Sequence, residues 1–158
     1  MAVEFSANNL QNIPAGGSLI FTETPVPCNR GLVYHRDESG LFRLASPSTM
    51  GCNTRRCCCG SMPTANYEVT FHANIAIPTG GTVEAISLAI AIDGEIDPSS
   101  TMTFTPSAVE TFGNIGADII VSVPAICRCS TIAVRNISTQ AVEAVNANLT
   151  VDFDGVRN

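Results

Sequence analysis

Apolar and polar residues alternate with period two through most of this chain, and that alternation limits its fold more than any other feature. From Tyr67 to Ile77 the apolar positions are Tyr67, Val69, Phe71, Ala73, Ile75 and Ile77, while Glu68, Thr70, His72 and Asn74 between them are polar. Successive side chains of a strand point to opposite faces, so this segment predicts a long strand with one dry face and one wet face. Near the C-terminus Val145, Ala147, Leu149, Val151 and Phe153 alternate in the same way with Asn146, Asn148, Thr150 and Asp152. Between Val83 and Ile92 the side chains of Ile86, Leu88, Ile90 and Ile92 oppose Ala85, Ser87, Ala89 and Ala91, so neither face is strongly polar. Helical periodicity is hard to find, and only Pro106 to Phe112 suits a helical turn.

Shorter strand-like runs fill the intervals: Val3 to Ala7, Ser18 to Phe21, Gly31 to Tyr34, Leu41 to Leu44, Met102 to Phe104, Ala117 to Val123 and Thr131 to Arg135. The connections carry turn chemistry, as in Pro14-Ala15-Gly16-Gly17, Asp37-Glu38-Ser39-Gly40, Pro78-Thr79-Gly80-Gly81, Asp93-Gly94 and Asp97-Pro98. About ten short strands without crossover helices predict an all-β fold, an antiparallel β-sandwich of the jelly-roll kind. With no internal repeat or linker, residues 1–158 are expected to form one domain, and residues 45–65 read as a long ordered loop.

Composition narrows the function. Charged residues are 14% of the chain against 45% hydrophobic, and eight cations against fourteen acids leave a net charge of −6. All eight cations are arginines, so chemistry that needs a lysine nucleophile or a P-loop lysine is excluded. Nucleic-acid binding is not expected, because phosphate neutralisation needs clustered cations. No apolar run is long enough for a helical membrane span, and Met-Ala-Val-Glu-Phe lacks the basic and apolar regions of a standard secretory signal. So little charge on so apolar a chain predicts an oligomer that hides part of its surface.

Several segments resemble a known fold family. Gly31-Leu32-Val33-Tyr34, Gly40-Leu41-Phe42-Arg43-Leu44, Tyr67-Glu68-Val69-Thr70-Phe71, Ala89-Ile90-Ala91-Ile92-Asp93-Gly94 and Ala147-Asn148-Leu149-Thr150-Val151 are similar, in order and spacing, to strands of the tumour necrosis factor and complement globular-head jelly roll. Ile13-Pro14-Ala15-Gly16-Gly17, Ala73-Asn74-Ile75-Ala76-Ile77-Pro78 and Ile132-Ala133-Val134-Arg135-Asn136 resemble more closely the small jelly-roll proteins of Clostridia-type bacteria, their phages and prophages. The resemblance spans residues 3–154; the chain lacks the collagen-like repeats that precede the domain in some of those proteins. It implies a homotrimer packed about a threefold axis, with the first, last and Tyr67-bearing strands in the subunit-contacting sheet. On that basis Glu68, Thr70, His72, Asn74, Asn146, Asn148, Thr150 and Asp152 are interface candidates, the alternative being a solvated outer face.

Seven cysteines form two groups and a singleton: Cys52, Cys57, Cys58 and Cys59, then Cys127 and Cys129, with Cys28 apart. Disulfides between the groups are the expected use, and an odd total leaves one thiol free or bonded between chains. The alternatives are buried free thiols and a zinc site of Cys52, Cys57, Cys59, Cys127 and Cys129, although neither spacing is the usual C-x2-C knuckle. No cofactor is expected. His35 reads as part of a charged turn with Arg36, Asp37 and Glu38, and His72 as a polar strand residue, so neither forms a nucleophile–base pair with a cysteine. The acids Asp93, Glu95, Asp97, Asp152 and Asp154 read as turn and strand-end residues rather than calcium ligands, and Glu110 and Asp118 form no acid–base pair. Arg55 and Arg56 are the only adjacent cations, and Asn136-Ile137-Ser138 and Asn148-Leu149-Thr150 match the glycosylation acceptor pattern.

These readings favour a structural or binding protein over an enzyme. The expected function is a trimeric jelly-roll virion protein of a bacteriophage or prophage, decorating the capsid or carried on a head fibre, with capsid or fibre proteins as partners. The alternative is the receptor- or glycan-binding head of a tail fibre or of a bacterial spore-surface filament.

Overall fold

The computed structural model describes residues 2–27, 32–36, 38–46, 64–124 and 129–157. The described residues form twelve strands: β1 (Ala2–Ala7), β2 (Gln11–Ile13), β3 (Glu23–Val26), β4 (Val33–His35), β5 (Phe42–Ala45), β6 (Thr64–Ala76), β7 (Ile86–Ile92), β8 (Glu95–Ile96), β9 (Met102–Phe104), β10 (Gly113–Pro124), β11 (Cys129–Asn136) and β12 (Val142–Arg157). Two antiparallel sheets result. The first runs β10-β6-β12-β1-β3, with β2 also paired to β12; the second runs β4-β5-β11-β7-β8, with β9 also paired to β7. The alternation explains the layering, since the apolar residues of β6, β12, β1 and β10 turn inward onto Ile86, Leu88, Ile90, Ile132, Val134, Phe42 and Leu44 of the second sheet.

An aromatic group ties the layers together. Phe42 of β5 lies 4.6 Å from Phe5 of β1 and 5.2 Å from Phe21, which in turn meets Phe71 of β6 edge-on at 6.5 Å. His35 does more than sit in a charged turn: its ring stacks on Phe42 at 4.4 Å, and Nε2 lies 2.9 Å from the Ser39 carbonyl, fastening the hairpin between β4 and β5.

Several local expectations need correction. Val83 to Ala85 precede β7, β6 begins three residues before Tyr67 and stops one short of Ile77, and β10 extends beyond both expected ends. Ser18 to Phe21 makes only isolated bridges at Ser18 and Phe21, although Leu19 and Phe21 are fully buried. Pro106 to Phe112 contains no helix; the helical turn is the 3-10 segment Pro98–Ser100, capped by the Asp97 carboxylate on the Ser99 amide at 2.9 Å. Ala45 ends β5 and Thr64 and Ala65 begin β6, so strand occupies both ends of the expected 45–65 loop. Asp93 and Gly94 form the two-residue turn from β7 to β8, with positive φ of 52° and 88°, the turn that Asp-Gly favours.

At one end of the sandwich Asn136 is buried and its side chain is fully used. Its Nδ2 donates to the carbonyls of Ile13 (3.0 Å), Pro14 (3.3 Å) and Gln140 (2.8 Å), and its Oδ1 accepts from the Ser138 amide at 2.9 Å. The acceptor pattern beginning at Asn136 is therefore a packing device and is not offered on the folded surface. At the other end Thr64 pairs with both Pro124 and Arg157, Ala45 pairs with Cys129, and the Ala45 amide donates to the Leu32 carbonyl at 2.8 Å.

Candidate functional site

The polar residues of β6 and β12 fall on one face of the first sheet, the face turned away from the core. Register brings them together: His72 lies opposite Asn148, Thr70 opposite Thr150, and Glu68 opposite Asp152. The neighbouring strands extend each row. Gly116 of β10 and Ser6 of β1 flank the His72–Asn148 pair, Asp118 and Glu4 flank Thr70–Thr150, and Ile120 and Ala2 flank Glu68–Asp152. Seven of the eight interface candidates thus share one surface, with Asn74 next to Asn114 at its end.

Asn146 differs, and the reason is a bulge. Val145 pairs with Asn74 and Asn148 with His72, so Asn146 and Ala147 together oppose the single residue Ala73. Asn146 takes up the extra residue with a φ of 52°, a conformation asparagine tolerates better than most. The bulge reverses the phase of β12. Before it Val142 and Ala144 point into the core; after it Ala147, Leu149 and Val151 do. Val145, expected among the inward residues, instead shares the outer face with Asn74.

Hydrogen bonds fix most of this surface. Asn148 Nδ2 donates to Glu4 Oε1 at 2.5 Å, Thr150 Oγ1 to Asn148 Oδ1 at 3.3 Å, and Thr70 Oγ1 to Asp118 Oδ1 at 3.1 Å. Ser6 and Asn8 both donate to Glu23 Oε2, at 3.3 and 3.1 Å. Asn114 Nδ2 reaches Asn74 Oδ1 at 3.2 Å, and Ser122 Oγ reaches Asn66 Oδ1 at 2.8 Å. Near the β10 margin, Glu68, Asp118, Ile119, Ile120 and Asp154 line a shallow depression of about 340 Å³. Exposed apolar side chains bracket the surface: Ile120 is 67% exposed on β10, and Val26, opposite Glu4 on β3, is 44% exposed.

Both sheets carry acids, Glu95 of β8 in the second among them, and Arg157 is the last residue of β12 in the first. The outer face of the first carries Glu4, Glu23, Glu68, Asp118, Asp152 and Asp154. The arginines whose side chains are described, Arg36, Arg43 and Arg135, lie on or beside strands of the second. Arg43 sits over the Tyr34 ring at 5.7 Å, and Arg135 donates to the Gly16 carbonyl at 2.9 Å. A smaller depression of about 190 Å³ on the second sheet lies among Leu41, Ala91, Thr131, Ala133 and Arg135.

Among the cysteines, Cys129 is described: it is exposed at the start of β11 with a free thiol. Cys28, Cys52, Cys57, Cys58, Cys59 and Cys127, with the adjacent pair Arg55 and Arg56, lie outside the described residues. Among the described residues no group of three or more histidines, cysteines or acids is placed to hold a metal ion. No helix among them is long and apolar enough to cross a membrane.

No protein-family model matches the chain, and no curated protein matches it in sequence. Solved structures match it in fold. The globular domain of zebrafish complement 1qA protein superposes with a TM-score of 0.62 at 10% identity, covering 99% of this chain and 98% of that one. The Eiger TNF of S. frugiperda gives 0.63 at 11% identity over 100% and 95% of the two chains, and murine APRIL gives 0.61 at 8% over 97% and 100%. These likenesses span both sheets from end to end, and the chain therefore has the jelly-roll fold of tumour necrosis factor and complement globular-head domains.

Proposed function

We propose that this protein is a non-catalytic structural protein whose working unit is a homotrimer assembled through the outer face of the first sheet, displayed on a bacteriophage or prophage virion as a capsid decoration or head-fibre protein. One observation carries the assembly reading. The rows from Ile120 and Asp118 on β10 through β6, β12 and β1 form a continuous surface, mostly fixed by its own hydrogen bonds and edged by exposed Ile120 and Val26. A preformed polar centre beside apolar anchors is the arrangement that a neighbouring subunit can cover at low entropic cost. A ring of three needs two unlike patches per copy, because contacts about a threefold axis are head-to-tail. Placement on a virion is supported by the resemblance to small phage and prophage jelly rolls, and a trimer matches threefold positions on a shell, where multivalency strengthens attachment.

Light scattering on the purified chain tests the assembly, with three times the chain mass expected; a monomer at every concentration overturns it. Electron microscopy of native particles tests the location, through threefold density of this size on the shell or its fibres. As part of the same proposal, disulfides join the two cysteine groups, with the free thiol of Cys129 as the one that the odd total leaves over. Intact mass measured with and without reductant checks this, and bound zinc would replace that assignment.

A further inference from the structure

A small cleft opens on the outer face of the second sheet, away from the proposed subunit contact. Ala91 of β7 and Ala133 of β11 lie among the residues around it, with Ser18, Leu41, Thr131 and Arg135, and it encloses about 190 Å³. It forms where β5 begins: Phe42 pairs with Ile132, and the next stretch of β11 is taken instead by the segment at Ser18, which bridges to Arg135. Arg135 is held by one bond, from Nη2 to the Gly16 carbonyl at 2.9 Å, which leaves most of its N–H donors over. Arg43, opposite Thr131, is steadied over the Tyr34 ring at 5.7 Å. The rows that bear the two arginines are four residues apart along β11, roughly 13 Å. Among the described residues no carboxylate lies within ion-pair distance of either guanidinium. Asp93 turns its carboxylate to the Thr131 amide at 2.7 Å and hydroxyl at 3.4 Å, and Glu95 pairs with Ile92, so it shares the Ile92 face and not that of Ala91.

We propose that this cleft binds an acidic oligosaccharide, one ring seated between Leu41 and Arg135 with its carboxylate on the Arg135 guanidinium, and a further acid of the same chain on Arg43. Charge and size select this ligand. A guanidinium is a planar fork that matches a carboxylate, and these two have none of their own. The volume lies below the range of about 300–1,000 Å³ that drug-sized ligands occupy, so it suits a single ring, whose C–H face can rest on the alanine methyls. A net charge of −6 repels a dense polyanion, and two separated cations cannot neutralise a phosphate backbone, so nucleic acid does not fit. A neutral scaffold with sparse carboxylates does. The cleft belongs to one chain and needs no assembly, while a trimer closed through the first sheet would display it three times and strengthen attachment to a polymer.

The test is isothermal titration calorimetry of the full chain with oligogalacturonate, and with its methyl ester as the uncharged control. The wild type should bind the acid with a Kd below about 1 mM and the ester at least about tenfold more weakly. Arg135→Gln should weaken binding of the acid at least about tenfold, and Arg43→Gln at least about threefold. Ala133→Leu fills the cleft and keeps both arginines; it should weaken binding at least about tenfold, which attraction to charge alone would not do. Circular dichroism shows which variants keep the fold, and Arg43→Gln, at an exposed position, serves if Arg135→Gln does not. No binding by the wild type up to about 10 mM, equal affinity for acid and ester, or wild-type affinity in the folded arginine variants or in Ala133→Leu overturns the inference. Binding by a chain that light scattering finds monomeric keeps the inference and removes the trimer, and a trimer that does not bind the acid removes the inference alone.

Discussion

The Tyr67 hydroxyl, on β6 of the first sheet, donates a hydrogen bond to the carbonyl of Ala45, the last residue of β5 in the second. The ring is otherwise enclosed, resting 5.4 Å from Phe153, so the bond couples the two layers at the end of the sandwich where Cys129 begins β11. Tyr67→Phe keeps the ring and deletes the donor. Urea unfolding should show a loss of about 1 kcal/mol, the net worth of such a bond, with an unchanged denaturant slope.

Asn136 makes a stronger demand. Replacing it with alanine takes the donor from the carbonyls of Ile13 and Gln140 and the acceptor from the Ser138 amide, while the Pro14 carbonyl keeps the Gly17 amide at 2.8 Å; this should cost about 2–3 kcal/mol in chemical unfolding. Asn136→Asp should be at least as damaging, because a carboxylate cannot donate to those carbonyls. A change below about 0.5 kcal/mol for both variants would contradict the role assigned to this side chain.

The bulge at Asn146 depends on a left-handed backbone. Glycine there should be neutral within about 0.5 kcal/mol, whereas valine, β-branched and strained at positive φ, should cost about 1–2 kcal/mol. Thermal unfolding of the two variants side by side gives the ordering, and equal stability would mean that β12 pairs with β6 in another register.

Stability and assembly should separate at two apolar positions. Phe42→Ala opens a void beneath Phe5, Phe21 and His35 and should remove about 3–5 kcal/mol of stability. Ile120→Ser alters a side chain that is 67% exposed and should leave unfolding within about 0.5 kcal/mol. On the proposed assembly it should nonetheless weaken the trimer at least about tenfold in light scattering, as loss of an apolar anchor does.

Much of the strand content could be read directly where one face is dry and the other wet. The alternation from Tyr67 to Ile77 marks all of β6 but its first three residues and overruns its end by one, and Met102 to Phe104 is a strand with the expected ends. Missed strands have local reasons. β2 and β8 are too short to show a period, and Pro25 interrupts β3, an edge strand where proline's missing donor does little harm. Ser18 to Phe21 has apolar residues because Leu19 and Phe21 fill the core, yet burial alone does not make a ladder.

Alternation and composition are local properties of the chain, so the residues alone imply an all-β sandwich, a polar face on each of β6 and β12, and cations that are all arginines. Long-range pairing sets β12 between β1 and β6, so that Glu4, Asn148, His72, Asp152 and Glu68 form one surface, and no local pattern announces that order. Asn146 shows why the two levels differ. A strict alternation through Val145 to Phe153 predicts one unbroken phase, but the N-terminal part of β12 must also pair with β2 and place Val142 and Ala144 in the core. Both ends of the strand can be buried correctly only if one residue is looped out, and that requirement comes from partners far away in sequence.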